Sequence, residues 1–553
     1  MIKKIICGII VFVIIMSALV GCSEEKTGEE TADTETSTRT AMTLSLWMPT
    51  DDSTTEEAKK LVENAINVLT QAKYNTAIEL HLIPRSEYQE TIDAKLEEVD
   101  KANVEKQAAE EARRRELKNQ KNNSTQSTEE TEDTAVETVI NEYGISVTSY
   151  PEVSPTQLDI FFVSGFDKYS EYAYSNMSQS VDSELSGTSK ILRSYIYPTF
   201  INAIYDFGTF AIPNNHPAGK YQYFLVNKSL MEEYDYNLKE VTSLLRSKNF
   251  IIDVGNHHLD DVVPLLGPVD SSGMVYWGTS AGSEEWSLIS AQITDQSTYK
   301  EPTPPSATLD NAVYINTLKF MKELESYGYV GDGTLKEGQR FAVGVITADE
   351  ETIKEYEDDY YISVYAKPVI SEDDIYNSMF AVCQYSKSLS RSMEIITYLN
   401  TETELRTILQ YGVEGVHWKY DEETGNTTIK ILNDDYKMDI NETGNVFMTY
   451  PGEDMPLEYW ETYKEHNVNA VSSPFMKMPS YIDDENEEAI EELLKLNKEV
   501  KARIDAASFS ELNSVISEIK QELADNEAYN MLISEEDEHS IVYKYVEWQE
   551  STY

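Results

Sequence analysis

Apolar and polar positions alternate over Met42-Thr43-Leu44-Ser45-Leu46-Trp47-Met48 and the run meets Pro49, which predicts a strand. A helix is expected next. Thr54 with Glu57 has the spacing of a capping box, and Leu61, Val62, Ala65, Ile66 and Leu69 form one apolar stripe. Ile78, Leu80 and Leu82 then mark a second strand, before a helix that begins near Ser86. Strand, helix, strand in this order implies parallel pairing and an α/β domain.

From about residue 97 to 138 the pattern changes. Residues 97–121 are mostly Glu, Lys, Ala, Arg and Gln, and 122–134 are Asn, Ser, Thr and Glu, without apolar heptads. An insertion is expected, a solvated helix running into a disordered tip. The α/β pattern resumes at Leu158–Val163 and at Tyr221–Val226. A proline-rich loop at 298–308 precedes a helix from Asp310 to Tyr327, and a further α/β stretch spans 361–411. Hairpin turns are predicted at Glu423-Thr424-Gly425-Asn426 and Glu442-Thr443-Gly444-Asn445, followed by about a hundred helical, acidic residues.

Charge narrows the classes of partner. Over 553 residues, 45 Lys and Arg face 98 Asp and Glu, a formal net charge of −53. Such a field repels phosphate backbones and anionic lipid headgroups, which argues against nucleic acid and against electrostatic membrane binding. With 41% hydrophobic residues the chain still has the material for two or more folded units.

The first residues predict export. Lys3 and Lys4 precede an apolar run from Ile5 to Val20, too short for a membrane span, and Leu19-Val20-Gly21-Cys22 has the lipobox order of bacterial lipoproteins. Residues 1–21 are therefore expected to be a lipoprotein signal peptide and 22–41 a flexible tether. Acylation of Cys22 would anchor the chain on the extracellular face of the cell membrane, in a monoderm bacterium. The competing reading is an ordinary signal peptide with an incidental cysteine. Cys7 would be removed, leaving Cys383 in an apolar stretch, where a buried structural thiol is expected.

Several segments carry a resemblance in a consistent order. They are Leu44-Ser45-Leu46-Trp47, Leu158-Asp159-Ile160-Phe161-Phe162, Gly208-Thr209-Phe210-Ala211-Ile212-Pro213, Phe224-Leu225-Val226-Asn227-Lys228 and Leu409-Gln410-Tyr411-Gly412-Val413-Glu414-Gly415-Val416-His417-Trp418. Together they resemble the family 1 extracellular solute-binding proteins of ABC importers, in particular long lipoproteins linked to oligosaccharide uptake. The charged insertion and the acidic stretch after Val345 depart from that pattern. The resemblance implies an α/β, two-lobed periplasmic-binding-protein-like (type II) fold with a hinge and an interlobe cleft. Residues 42–207 with 375–445 would form lobe 1, carrying the 97–138 insertion, and 208–374 with 446–553 lobe 2. It also implies a carbohydrate ligand, an ABC permease as partner, a monomer, and no cofactor, metal or catalytic residue.

Sugars present apolar ring faces and a rim of hydroxyls, so a site for them pairs aromatic platforms with polar acceptors, typically beyond strand ends. Candidates on that basis are Trp47 and Asp51 at the first strand's end, Ser164 and Asp167 after the Leu158–Val163 strand, and Asp206 and Phe207 before the crossing. Trp277, Glu414, Trp418 and Trp460 complete the set. Three patterns point elsewhere. Gly278-Thr279-Ser280-Ala281-Gly282 matches a nucleophile elbow, but no oxyanion motif precedes it and no later histidine sits in a partner motif. His257 and His258 with Asp260 and Asp261 lack a zinc spacing and read as a polar loop. Carboxylate pairs are unavoidable among 98 acids, so a glycosidase stays open as an alternative, as does a binding protein for a peptide.

Overall fold

A computed structural model describes residues 39–121, 138–140, 146–148, 150–201, 208–258, 260–269, 275–277, 286–292, 303–348, 350–452, 455, 459–472, 475, 482–483 and 485–552. The signal peptide, Cys22 and the tip of the insertion fall outside them, as do Asp206, Phe207 and Ser280. Strand β1 (Met42–Thr50) leads into helix α1 (Glu56–Tyr74) and strand β2 (Thr76–Pro84), then helix α2 (Arg85–Lys121). Strand β3 (Ile160–Val163), helix α3 (Phe166–Tyr174) and the short strand β4 (Ala211–Pro213) follow. β1 runs one residue past Pro49 because only β2 pairs with it there, so the missing N–H interrupts no second ladder. The helix cap is also displaced by one residue from the expected box. Thr55 accepts from the Ala58 N–H, while the Thr54 hydroxyl bonds the Lys437 carbonyl at 3.1 Å.

A second sheet begins with β5 (Tyr221–Asn227) and β6 (Val262–Leu265). Helix α4 (Ala312–Tyr327) then leads to β7 (Arg340–Ala348) and β8 (Tyr360–Ala366). Their order is β8-β5-β7-β6, with a core of Phe224, Val226, Leu230, Phe250, Leu324 and Val343. The chain returns through β9 (Met379–Val382), helices α5 (Leu389–Thr401) and α6 (Thr403–Tyr411), and a hairpin of β10 (Trp418–Tyr420) and β11 (Ile429–Ile431). Gly425, at φ 71°, turns that hairpin as expected. The second predicted hairpin is absent. Residues 440–442 and 446–448 are single 3-10 turns, and no strand flanks Gly444.

The first sheet therefore has the order β2-β1-β3-β9-β4, with β2, β1 and β3 parallel and β9 antiparallel to both neighbours. Leu44, Leu46, Met48, Val62, Ile66, Phe161 and Phe380 pack as its core. Burial of each such side chain is worth about 1.5–3 kcal/mol. The sheet takes in Ala211–Pro213, three residues on from where the sequence suggested that the second lobe begins. Helices α7 (Tyr459–Asn469), α8 (Glu487–Ala506), α9 (Leu512–Ala524), α10 (Glu527–Leu532) and α11 (Ile541–Thr552) close the chain. The last four pack with a small sheet of 275–277, 289–292 and 306–307.

α2 leaves the body as an arm. Tyr88, Ile92, Leu96 and Val99 are buried in the first core, whereas residues 104–115 are exposed throughout, as the lack of apolar periodicity predicts. Among the described residues no helix is long and apolar enough to cross a membrane.

Candidate functional site

The topology singles out one edge of the first sheet. The parallel strands β2, β1 and β3 end there at Pro84, Thr50 and Val163. Antiparallel pairing brings the start of β9 and the end of β4 to the same edge, with Met379 opposite both Val163 and Pro213. Both crossings to the second sheet use it, outward from Pro213 to Tyr221 and back from Ala366 to Met379. The carboxyl edge of an α/β sheet, at the point where connections diverge, is where ligands are held in open sheets.

Three candidates lie on this edge. Asp51 directly follows β1 and accepts from the Ser53 N–H and hydroxyl at 2.9 and 2.5 Å, bonds that hold its carboxyl below the usual range. Ser164 is exposed just past β3, before Gly165 at φ 92° turns the chain into α3, and Asp167 is exposed in that helix's first turn.

The other candidates are placed differently. Trp47 is not at a strand end. It lies three residues short of it, its ring stacked on His81 at 4.2 Å with the Lys95 ammonium 5.8 Å from its centre. Trp418 is 3% exposed and donates Nε1–H to the Gly412 carbonyl at 3.0 Å, while the His417 Nδ1 accepts from Val413 N–H at 2.9 Å. These rings fasten the glycine-flanked turn that carries the exposed Glu414. Trp460, 6% exposed, donates Nε1–H to the Thr449 carbonyl at 2.8 Å and packs edge-on against Phe447. Trp277 ends the short strand 275–277, and its side chain lies outside the described part. Cys383 is buried as expected, and burial pushes its thiol up to about 12.

A strap of residues 434–446 borders the edge. The Lys437 carbonyl accepts from Asp51 N–H at 3.2 Å, Ser378 Oγ bonds the Asn441 carbonyl, and Val446 N–H bonds the Asn215 carbonyl at 2.8 Å. Beneath the strap the fully buried Arg406 donates to the Ile440 carbonyl at 2.5 Å and to Gln410 Oε1 at 3.2 Å. Burial without a carboxylate partner lowers the Arg406 pKa to about 9. Gln410 in turn donates to the Met438 carbonyl at 3.0 Å.

Where the strap meets the crossing at Asn215, a recess of about 350 Å³ opens, lined by Arg193, Tyr195, Tyr197, Asn215, Asn445 and Phe447 among others. This is at the lower end of the volumes found for ligand sites. None of these residues was singled out in the sequence. The available signal was Asn214-Asn215 immediately after the expected crossing strand, together with the aromatic run Tyr195-Ile196-Tyr197 upstream.

Comparison with known structures bears on this arrangement. The N-glycan transport solute binding protein NgtS from Streptococcus pneumoniae aligns over 92% of this chain and 100% of its own, at 16% identity and a TM-score of 0.54. The chain has the two-lobed solute-binding fold. An extracellular solute-binding protein from Bifidobacterium longum subsp. infantis aligns over 93% of this chain and 96% of its own, at 13% identity and a TM-score of 0.41. In sequence, a carbohydrate ABC transporter substrate-binding protein of Streptococcus pneumoniae is 28% identical over 160 residues. That match spans 28% of this chain and 32% of the relative, about a third of its length. No family model matches the chain.

Proposed function

We propose that this chain is an extracellular solute-binding protein that captures a carbohydrate, most simply an oligosaccharide, between its lobes and delivers it to an ABC permease. The observation that carries the proposal is the carboxyl edge of the first sheet. Both crossings leave from it, the Asp51 carboxylate and exposed Ser164 and Asp167 lie along it, and an aromatic recess terminates it. Ligand touching both lobes would favour the closed form by its differential contacts, and that form is what a permease would read. The shared fold with an N-glycan transport protein and the partial sequence match to a carbohydrate transport protein support the same class.

In this reading lobe 1 comprises residues 42–213 and 375–445, extended from the sequence expectation to take in the strand at 211–213, and lobe 2 the remainder. Acylation at Cys22 would hold the protein at the membrane as a monomer, and its role would be binding without catalysis. Trp277, Asp206 and Phe207 remain candidates for contact from the segments next to the crossing.

The test is a thermal-shift and calorimetric screen of the soluble chain against oligosaccharides and against peptides. A ligand at 100 times its Kd stabilises by about 2.7 kcal/mol. A shift with peptides and none with any glycan would replace the carbohydrate reading by the peptide one. Release of sugar products that stops on Ser280→Ala would move the protein to the hydrolases.

A further inference from the structure

The recess at the crossing is lined by two buried asparagines. Asn215, buried at 2% exposure, donates Nδ2–H to the Tyr195 carbonyl at 2.6 Å and accepts the Tyr197 N–H at 3.0 Å. Asn445, equally buried, donates Nδ2–H to the Asn400 carbonyl at 3.0 Å and accepts the Phe447 N–H at 3.1 Å. The Val446-to-Asn215 backbone bond joins the two walls. Both amides are thus engaged with backbone, and they fix where the aromatic side chains stand.

The lining left for a ligand is aromatic, with Arg193 as its charged side chain, and the Nε of that guanidinium is already engaged, donating to the Leu185 carbonyl at 3.3 Å. Tyr197 and Phe447 lie 6.0 Å apart with their rings at 89°. Among the described residues, neither the Tyr195 nor the Tyr197 hydroxyl has a hydrogen-bond partner. Burial, with Glu461 nearby, pushes the Tyr197 phenol up to about 12, so it stays a neutral donor and acceptor. The near-perpendicular Tyr197 and Phe447 rings, with the Tyr195 and Tyr197 hydroxyls, offer an apolar wall and hydroxyl partners within one recess. That pairing suits a pyranose, which has a C–H face and an equatorial rim of hydroxyls.

Charge and reach narrow the ligand further. An anionic sugar would meet the field of a chain with a net charge of −53 and the Glu461 carboxylate close to Tyr197, which outweigh the single Arg193 guanidinium of the lining. From β4 beside the recess to β1 at Asp51 the edge spans three strand spacings, about 14 Å, several times the thickness of one sugar ring.

We infer that the recess lined by Tyr195, Tyr197 and Phe447 is a subsite for one uncharged terminal sugar ring, with the rest of a neutral oligosaccharide running along the sheet edge toward Asp51. The inference rests on the carbohydrate reading and deepens it. It predicts a length-dependent pattern. Tyr197→Phe removes one hydroxyl contact and weakens every bound glycan, including the shortest, by about five- to tenfold. Asp51→Asn weakens only those glycans long enough to reach it.

Calorimetry on the soluble wild-type chain and the two variants, with neutral glycans of increasing length and a sialylated counterpart, reads both effects. Phe447→Leu serves as a second recess variant, and melting temperatures confirm folding of each. Unchanged affinity of every glycan in both Tyr197→Phe and Phe447→Leu overturns the subsite while leaving the carbohydrate reading intact. Sialylated glycan bound as tightly as neutral glycan overturns the uncharged assignment. Wild-type protein that binds no glycan at all overturns the subsite and the carbohydrate reading together.

Discussion

Arg85 grips Glu442 with two nitrogens, Nε at 3.0 Å and Nη2 at 2.6 Å, and so ties the end of β2 to the strap. The pair is lopsided, since the Arg85 side chain is 43% exposed and that of Glu442 only 15%. Burial raises the Glu442 pKa, and Arg85 offsets this only in part. A carboxyl raised in the folded state contributes its full stability below its unfolded value, near 4.3, and loses it as pH rises through the folded value. Arg85→Met leaves that carboxylate buried alone and costs about 1–3 kcal/mol at neutral pH. The cost shrinks near pH 4, where Glu442 is protonated. Urea unfolding at both pH values checks this. An equal loss at the two would show that the ion pair is not what holds the strap.

The strap also depends on a glycine. Gly444 sits at φ 110°, and a Cβ there would come within 2.7 Å of the Leu399 carbonyl oxygen and 3.1 Å of Arg406 Cδ. Gly444→Ala combines backbone strain with overlap against main chain and is expected to cost about 2 kcal/mol or more. Gly425 is the control. Its φ of 71° faces open space, so Gly425→Ala costs only about 1 kcal/mol. Melting temperatures of the two variants should differ clearly, and similar values would refute the packing argument.

Period and position explain which parts of the molecule could be read in advance. The β1-α1-β2 unit follows from strict alternation and a single apolar stripe, and its register places Leu44, Leu46 and Met48 in the core. The positions of Asp51 and Ser164 just past strand ends were legible because the alternating run before Pro49 and the continuous apolar run up to Val163 both stop there. That Trp418 and Trp460 are buried with their indole N–H on backbone carbonyls was not legible, since in sequence such an indole looks like one available to ligand. The strap and the recess were invisible for a different reason. Their geometry rests on bonds such as Gln410 to Met438 and Asn215 to Tyr197, between residues with no periodic relation.

The C-terminal helices are tied at Asp483. His539 Nδ1 lies 3.0 Å from its carboxylate, and Lys544 Nζ bonds the same oxygen, so the grouping with Glu485 is an ion-pair cluster. Slight burial raises the Asp483 pKa, but Lys544, His539 and the Asn486 N–H outweigh it and leave it lowered, while Asp483 raises that of His539. Stability from the lowered carboxyl is present above its unfolded value, about 3.9, and lost as pH falls through the folded one. Stability from the raised imidazole is present below about 6.5 and lost as pH rises through its folded value. The tie is therefore strongest between those limits. Lys544→Met should lower the melting temperature near neutral pH and make its fall on acidification shallower, since less of the Asp483 stabilisation is left to lose, and an unchanged acid limb would refute the role of the tie.

The arm formed by α2 should be dispensable for both stability and binding. Its inner turns are held by Tyr88, Ile92, Leu96 and Val99, and by the Tyr385 hydroxyl, which donates to Asp100 at 2.8 Å. The returning chain is fixed at Tyr150, whose hydroxyl donates to Asn75 Oδ1 at 2.8 Å, and at Pro151, whose carbonyl accepts from Thr43. Between these anchors residues 104–115 are wholly exposed. Replacing residues 105–148 with a flexible Gly-Ser linker removes solvated helix and changes only a slowly varying loop entropy. Stability should therefore move by less than about 1 kcal/mol. Glycan affinity should not change, because the arm departs from the body beyond the residues that line the sheet edge. Calorimetric titration of the shortened chain would decide this, and a loss of binding would make the arm part of the ligand site.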